Sequence, residues 1–319
     1  MKISVIIPTY KRLDQLPKTL QSLQEQKLFE FEILVMDNAG EPATEKMIAE
    51  LNRTAKIPIR YIVHTEGGNS GARNRGAKEA KGDLLVYTDD DVTFAPGWLM
   101  AYDKAFDAHP DMAAAGGCIK PAWETEPPRW LIEYIGDKKV FGVYSLMEPA
   151  QEFTLSNKGF FSSCNMAIRR SVFDRTSFRP EIFGTQTIGS GETGLYRALQ
   201  KEGKLIGYVP DALVHHNIVA SRMTVRYICR WAGHHGGCYM YIRWHNQKRN
   251  LSALAAEVVF IGRQHWRSWA RAPLVRNRRD KKSIDTQYDA SFGLCKLAYI
   301  WWMLTDPKVK KALGERACA

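Results

Sequence analysis

The strongest constraint on the fold is an alternation of two hydrophobic periods over the first 120 residues. Residues 3–9 (ISVIIPT) form an unbroken, mostly β-branched apolar run. A run without polar alternation suits a strand buried on both faces, as in a parallel sheet. Leu13, Leu16, Leu20 and Leu23 follow at helical spacing and predict a helix to residue 26. The pair then repeats. Strands are expected over residues 31–36, 59–63, 84–88 and 112–119, and helices over 42–54, 70–80 and 96–108. Pro42 suits a first helical turn. This alternation predicts an α/β fold with a mainly parallel sheet flanked by helices. Ligands of such sheets bind beyond the carboxyl ends of the strands. Asp37 and the run Asp89-Asp90-Asp91 both fall there.

The pattern loosens after residue 120. Trp123, Pro127, Pro128 and Trp130 suggest a long surface excursion over residues 121–157. Regular structure is expected again as a strand over 164–168, a short helix over 170–174 and a helix over 192–202. Two further strands are expected over 205–209 and 213–216.

Three adjacent carboxylates at a strand end repel one another and call for compensation. A divalent cation is one answer, because Mg²⁺ and Mn²⁺ favour hard oxygen ligands. An acidic turn capping the following helix is the other. The first strand–helix junction is Pro8-Thr9-Tyr10-Lys11-Arg12. It lacks the glycines of a dinucleotide-binding turn, and no P-loop pattern occurs in the chain. Gly67-Gly68-Asn69-Ser70-Gly71 either starts a helix or brings backbone N–H groups to a phosphate, with Arg73 and Arg75 nearby.

The segments VIIPTYKR, ILVMDNAG, GGNSGARNRGAKEAKGDLLVYTDDDV, SSCNMAIRRSVF, GSGETGLYRAL and YVPDALVHH follow one another in this order. Together they resemble the family 2 glycosyltransferases over about residues 1–220. The resemblance implies a GT-A fold, a nucleotide-diphospho-sugar donor, a divalent cation (Mg²⁺ or Mn²⁺) and inversion at the anomeric carbon. It places Pro8, Thr9, Tyr10 and Arg12 at the nucleotide, Asp37 on the base or ribose, and Asn69 and Arg73 beside them. Asp89 and Asp91 become the DxD pair, with Asp91 the direct metal ligand, Asp89 a donor contact and Asp90 beside the nucleotide or shaping the turn. Cys164, Asn165 and Trp123 are expected at the donor sugar and acceptor.

Glu192 takes the catalytic-base position, with Gly191 where the family has a second carboxylate. Read without the resemblance, Glu192 is a helix N-terminal glutamate favoured by the helix dipole. His215-His216 ends the last strand, and the two side chains point to opposite faces. His215 is taken as the third metal contact, with the choice between it and His216 left open. Alternatives to transferase activity are a sugar-nucleotide-forming nucleotidyltransferase and a catalytically silent binding subunit.

The net charge of +11 is unevenly distributed. Residues 221–283 carry fourteen Lys and Arg against two Asp and Glu, so the rest of the chain is close to neutral. Arg263, Arg267 and Arg271 share one helical face, and Leu251, Leu254, Val258, Ile261, His265 and Trp269 form a second stripe. With Trp266 nearby, this basic helix suggests an anionic membrane surface, where a lipid-linked acceptor would also be found. Tyr227, Trp231, Tyr239, Tyr241 and Trp244 suggest an acceptor groove or an apolar patch.

Residues 221–319 therefore read as a basic, mostly helical extension to a catalytic domain at residues 1–220. No nucleic-acid module is recognisable, and the acidic run opposes such a partner. The cysteines at 118, 164, 229, 238, 295 and 318 are scattered, without a CxxC pair. They read as free thiols of a reducing cytosol. The start of the chain does not read as a secretory leader, and the most apolar stretch, residues 292–304, contains Lys296. A cytoplasmic protein attached peripherally to the membrane is expected. Sequence leaves the oligomeric state, the sugar and the base open.

Overall fold

A computed structural model describes residues 2–27, 30–178, 182–183, 186–187, 191–245 and 251–307. In chain order the elements begin β1 (Ile3–Thr9), α1 (Leu16–Gln24), β2 (Phe31–Asp37), α2 (Pro42–Leu51), β3 (Ile59–Val63) and α3 (Gly68–Glu79). Next come β4 (Leu84–Thr88), β5 (Val92–Phe94), α4 (Trp98–Ala108), β6 (Met112–Trp123) and α5 (Arg129–Ile135). Short strands follow: β7 (Val140–Phe141), β8 (Leu146–Met147), β9 (Thr154–Ser156), β10 (Asn165–Arg169), β11 (Ile182–Phe183) and β12 (Gln186–Thr187). The chain continues through α6 (Gly191–Lys201), β13 (Leu205–Ile218), α7 (Val225–His245), α8 (Leu251–Arg271) and α9 (Lys281–Thr305).

The chain divides into two compact units. The first comprises Met1–Ala122, Lys139–Pro180 and Gly191–Asn217. Its sheet runs β3-β2-β1-β4-β10-β6-β13-β5. The central strands β3, β2, β1 and β4 are parallel, and β10 continues the sheet antiparallel to β4 and β6. The expected α/β architecture is thus present. Strand alternation divides the core into two layers. Ile3, Val5 and Ile7 pack with Leu16, Leu20 and Leu23 on one face. Ile6, Leu34 and Met36 pack with Ala72 and Ala77 on the other. Burying each such large aliphatic side chain contributes about 1.5–3 kcal/mol.

Several sequence expectations are corrected. Leu13 is exposed, and α1 starts only at Leu16. Residues 121–157 are not a surface excursion: α5 lies there, and Leu131, Tyr144 and Met147 are buried. The two strands expected near the end of the core are one, β13, running through Pro210.

The second unit comprises Trp123–Lys138, Glu181–Ser190 and Ile218–Ala319. Its described part is mostly helical. Gly236 lies against the Phe292 carbonyl, and a Cβ there would come within 2.4 Å of that oxygen. Cys238, Met240, Leu254, Ile261, Tyr299 and Ile300 form the apolar core. On α8 the buried positions are Leu254, Glu257, Ile261 and His265. Val258, placed in this stripe by its spacing, is 40% exposed, while the side chain of Leu251 lies outside those described. Glu257 is compensated by Arg243 at 3.0 Å, and His265 by Asp289 at 2.9 Å. Cys118, Cys164, Cys229, Cys238 and Cys295 are free thiols, and Cys318 lies outside the described residues.

Candidate active site

β1 and β4 are parallel neighbours, so their carboxyl ends bring Thr9 beside the acidic run. The Thr9 hydroxyl donates to Asp90 Oδ2 at 2.7 Å. The Thr19 hydroxyl of α1 donates to the Asp90 carbonyl at 2.9 Å and accepts from Val92 N. Asp90 is therefore built into the turn. Burial, reinforced by repulsion from Asp91, pushes its carboxyl up to about 6, against the pull of the Thr9 hydroxyl and Arg12.

The other two carboxylates meet cations. Arg12 pairs with Asp91 and lies 3.3 Å from Asp90 Oδ1. Arg73, 2% exposed on α3, donates to Asp89 Oδ1 at 3.1 Å. Its Nε is buried and has no partner among the described residues. His216 Nε2 lies 3.3 Å from Asp91 Oδ1, while its Nδ1 meets the Tyr144 carbonyl at 2.7 Å. Burial by itself lowers the His216 pKa, but Asp91 and the Tyr144 carbonyl outweigh it and the net shift is upward. His216, rather than His215, is the histidine that reaches Asp91, since it shares the buried face of its strand with Val214 and Ile218.

Glu192 lies in the first turn of α6 and is half-buried. Desolvation raises its carboxyl pKa, partly offset by Arg73 and reinforced by Asp89. It therefore shares the electrostatic neighbourhood of the strand-end carboxylates. Asp37 is buried and accepts from Ala39 N at 2.7 Å, Glu41 N at 3.1 Å and the Tyr61 hydroxyl at 2.7 Å. Pro8 is buried at the end of β1, Tyr10 is 59% exposed, and Asn69 is exposed in the first turn of α3.

Two expected sugar-contacting residues are interior instead. Cys164 and Asn165 are both 0% exposed. Asn165 Oδ1 accepts from Trp98 Nε1 and the Tyr102 hydroxyl, each at 2.8 Å. Its Nδ2 donates to the carbonyls of Cys118 and Ala212. No polar atom of that side chain is left for a ligand. Trp123 closes β6 and belongs to the second unit.

A divalent cation fits the chemistry of the donor set, since the Asp91 carboxylate, in the turn before β5, and the His216 imidazole of β13 lie 3.3 Å apart. Mg²⁺ and Mn²⁺ need few protein carboxylates and leave positions for phosphate oxygens. Among the described residues, no group of three or more His, Cys, Asp or Glu is gathered to hold a metal ion. Asp89 is turned toward Arg73, which would leave at most two protein ligands.

The family model for Glycosyl transferase family 2 matches residues 4–176. The chain is 30% identical over 172 residues to the uncharacterized glycosyltransferase YwdF of Bacillus subtilis, covering 51% of this chain and 63% of that protein. It is 24% identical over 233 residues to the glucosyl-dolichyl phosphate glucuronosyltransferase of Haloferax volcanii, with 70% and 71% of the two chains covered. Among solved structures it resembles the mannosyltransferase PcManGT of Pyrobaculum calidifontis, in complex with GDP-Man and Mn²⁺. The TM-score is 0.60 at 17% identity, covering 96% of this chain and 88% of that one. That likeness establishes the GT-A fold. With the family match spanning more than half of its length, the chain belongs to glycosyltransferase family 2, a family of transferase enzymes.

Proposed function

We propose that this protein transfers a sugar from a nucleotide-diphospho-sugar to a hydroxyl of a glycan or lipid-linked acceptor, with inversion, in cell-surface polysaccharide or glycolipid synthesis. One observation carries the reading: the strand-end carboxylates Asp89 and Asp91, the cations Arg12 and Arg73, His216 and Glu192 interact within one electrostatic neighbourhood. Relatives support the substrate class. The Haloferax enzyme is named for a glucosyl-dolichyl phosphate, and succinoglycan biosynthesis protein ExoM of Rhizobium meliloti is 24% identical over 234 residues.

In this reading Arg73 binds a diphosphate oxygen through its unpartnered Nε, since guanidinium suits phosphate geometry. Asp91 and His216 would hold Mg²⁺ or Mn²⁺, with Asp89 contacting the donor. The bound cation supplies positive charge beside the diphosphate leaving group. Glu192 accepts the proton of the acceptor hydroxyl as its oxygen forms the bond to the anomeric carbon. The bond from that carbon to the diphosphate oxygen breaks on the opposite face. A desolvated carboxylate with a raised pKa is the stronger base for this step. Pro8, Thr9, Tyr10 and Asp37 lie toward the base and ribose. The basic helix α8 attaches the protein to the cytoplasmic face of a membrane, where the acceptor is found.

Glu192→Gln tests the base. General-base removal should lower kcat by about 10²–10⁴-fold, while the affinity for the nucleotide sugar measured by calorimetry stays within about two-fold. Normal turnover in this variant would sink the assignment. Release of pyrophosphate instead of nucleoside diphosphate by the unaltered enzyme would favour a nucleotidyltransferase.

A further inference from the structure

The helical unit contains a cleft of about 700 Å³ that the transfer reaction does not use. Small-molecule sites typically measure roughly 300–1,000 Å³, so this volume suits one. Arg226 of α7 contributes to its lining, as do Arg276 and Arg279 of the segment joining α8 to α9. Among the described residues no Asp or Glu lines the cleft, and none of the three arginines has a carboxylate within ion-pair distance. Arg279 Nη1 donates to the carbonyls of Arg276 and Arg278. Cations that line one cleft without a counter-charge repel one another, and an anion relieves this.

The remaining wall is apolar, with Trp269, Pro273 and Leu294 among its residues. Trp269 is held in place because its Nε1 donates to the Ala290 carbonyl at 3.0 Å. Leu294 is 56% exposed, and Leu274, next to Pro273, is 79% exposed. Apolar surface thus continues from the cleft to the outside. A guanidinium cluster matches phosphate oxygens in a bidentate manner. An inorganic anion would leave the tryptophan and leucine walls facing water. A ligand with a phosphate at one end and hydrocarbon beyond it satisfies both halves.

We propose that this cleft binds the phosphate or diphosphate end of a membrane lipid. Two sources share that chemistry: an anionic phospholipid headgroup, and a polyprenyl phosphate carrying an acceptor glycan. In either case the cleft is a lipid-phosphate site of the helical unit, and this assignment does not rest on the functional reading above.

The test is flotation of the full chain at fixed salt with three kinds of vesicle: phosphatidylcholine alone, with phosphatidylglycerol, and with polyprenyl phosphate. Arg226→Gln/Arg276→Gln is compared with Lys46→Gln/Lys104→Gln, which removes equal charge at exposed positions outside both the cleft and α8. Arg226 and Arg276 are exposed, so the fold should survive. The cleft variant is expected to lose at least ten-fold more binding than the control variant on one of the phosphate-bearing vesicles, and that vesicle identifies the source. Leu294→Ser should lose vesicle binding while retaining a thermal shift with inorganic pyrophosphate. Equal losses in the two double variants overturn the proposal, as does unchanged vesicle binding by Leu294→Ser. A thermal shift with nucleotide sugar is read in parallel. Its absence in the unaltered chain would count against the catalytic reading and leave the lipid result standing.

Discussion

Asn165 shows how a motif residue can serve the scaffold rather than the ligand. Its four hydrogen bonds reach Trp98 and Tyr102 on α4 and the carbonyls of Cys118 and Ala212. Replacement by Ala leaves buried donors and acceptors without partners, at about 1–3 kcal/mol for each unsatisfied group. Since the neighbours can relax in part, Asn165→Ala should cost about 3–5 kcal/mol, at the upper end for single substitutions. Urea denaturation measures this. A loss below about 1 kcal/mol would show that the side chain is not the staple its contacts suggest. None of this was legible in sequence, because the partners lie 47 to 67 residues away along the chain. Strand parity showed that only one of His215 and His216 could reach the acidic run, and the burial pattern of β13 shows that it is His216. The separate surroundings of Asp89, Asp90 and Asp91 were not legible, because they depend on Arg73, Thr9 and Arg12 arriving from other elements.

Among the elements, α3 is positioned by its glycines more than by apolar bulk. A Cβ on Gly76 would stand 2.5 Å from Ile6 Cγ2, and one on Gly71 would stand 2.2 Å from the Glu66 carbonyl oxygen. Close approach of α3 to β1 is what brings Arg73 to Asp89. Gly76→Ala overpacks this contact and should destabilise by about 1–3 kcal/mol. Gly194 in α6 is the counterpart, since among the described residues a Cβ there meets nothing within 4 Å. Gly194→Ala should stabilise by about 0.5–1 kcal/mol through backbone entropy. Thermal unfolding of both variants compares the two effects, and a stabilised Gly76→Ala would refute the packing argument. Elements of this kind were readable where a long apolar run or helical period stood alone, as in β1, β2 and α4. β5 was missed because three residues are too few to show a period. The segment over residues 121–157 was misjudged because Trp123, Pro127, Pro128 and Trp130 resemble loop composition, although Leu131 and Tyr144 are fully buried. β13 was divided in two because Pro210 normally interrupts a ladder.

The whole chain carries its positive charge in one stretch, and the membrane attachment proposed for α8 can be tested on the outer face of that helix. Opposite the buried positions Leu254, Glu257, Ile261 and His265, this face presents Val259, Phe260 and Trp266, which are 53%, 54% and 56% exposed. Arg263, Arg267 and Arg271 lie among them, and Arg267 stacks over the Trp266 ring at 5.4 Å. Among the described residues no helix is long and apolar enough to cross a membrane. In the proposed surface attachment the aromatic side chains would enter the interface while the arginines meet anionic headgroups, each contributing about 1 kcal/mol near the surface. Replacing Arg263, Arg267 and Arg271 by Gln therefore removes about 3 kcal/mol, or roughly two orders of magnitude in partitioning. This loss should be large in dilute buffer and shrink at about 1 M salt, where the screening length falls to roughly 3 Å. Trp266→Ala removes apolar contact instead, so its effect should persist at high salt. Flotation with anionic vesicles across a salt series separates the two contributions. If the triple variant floats as the unaltered chain does at low salt, α8 is a solvated helix and its arginines serve solubility alone.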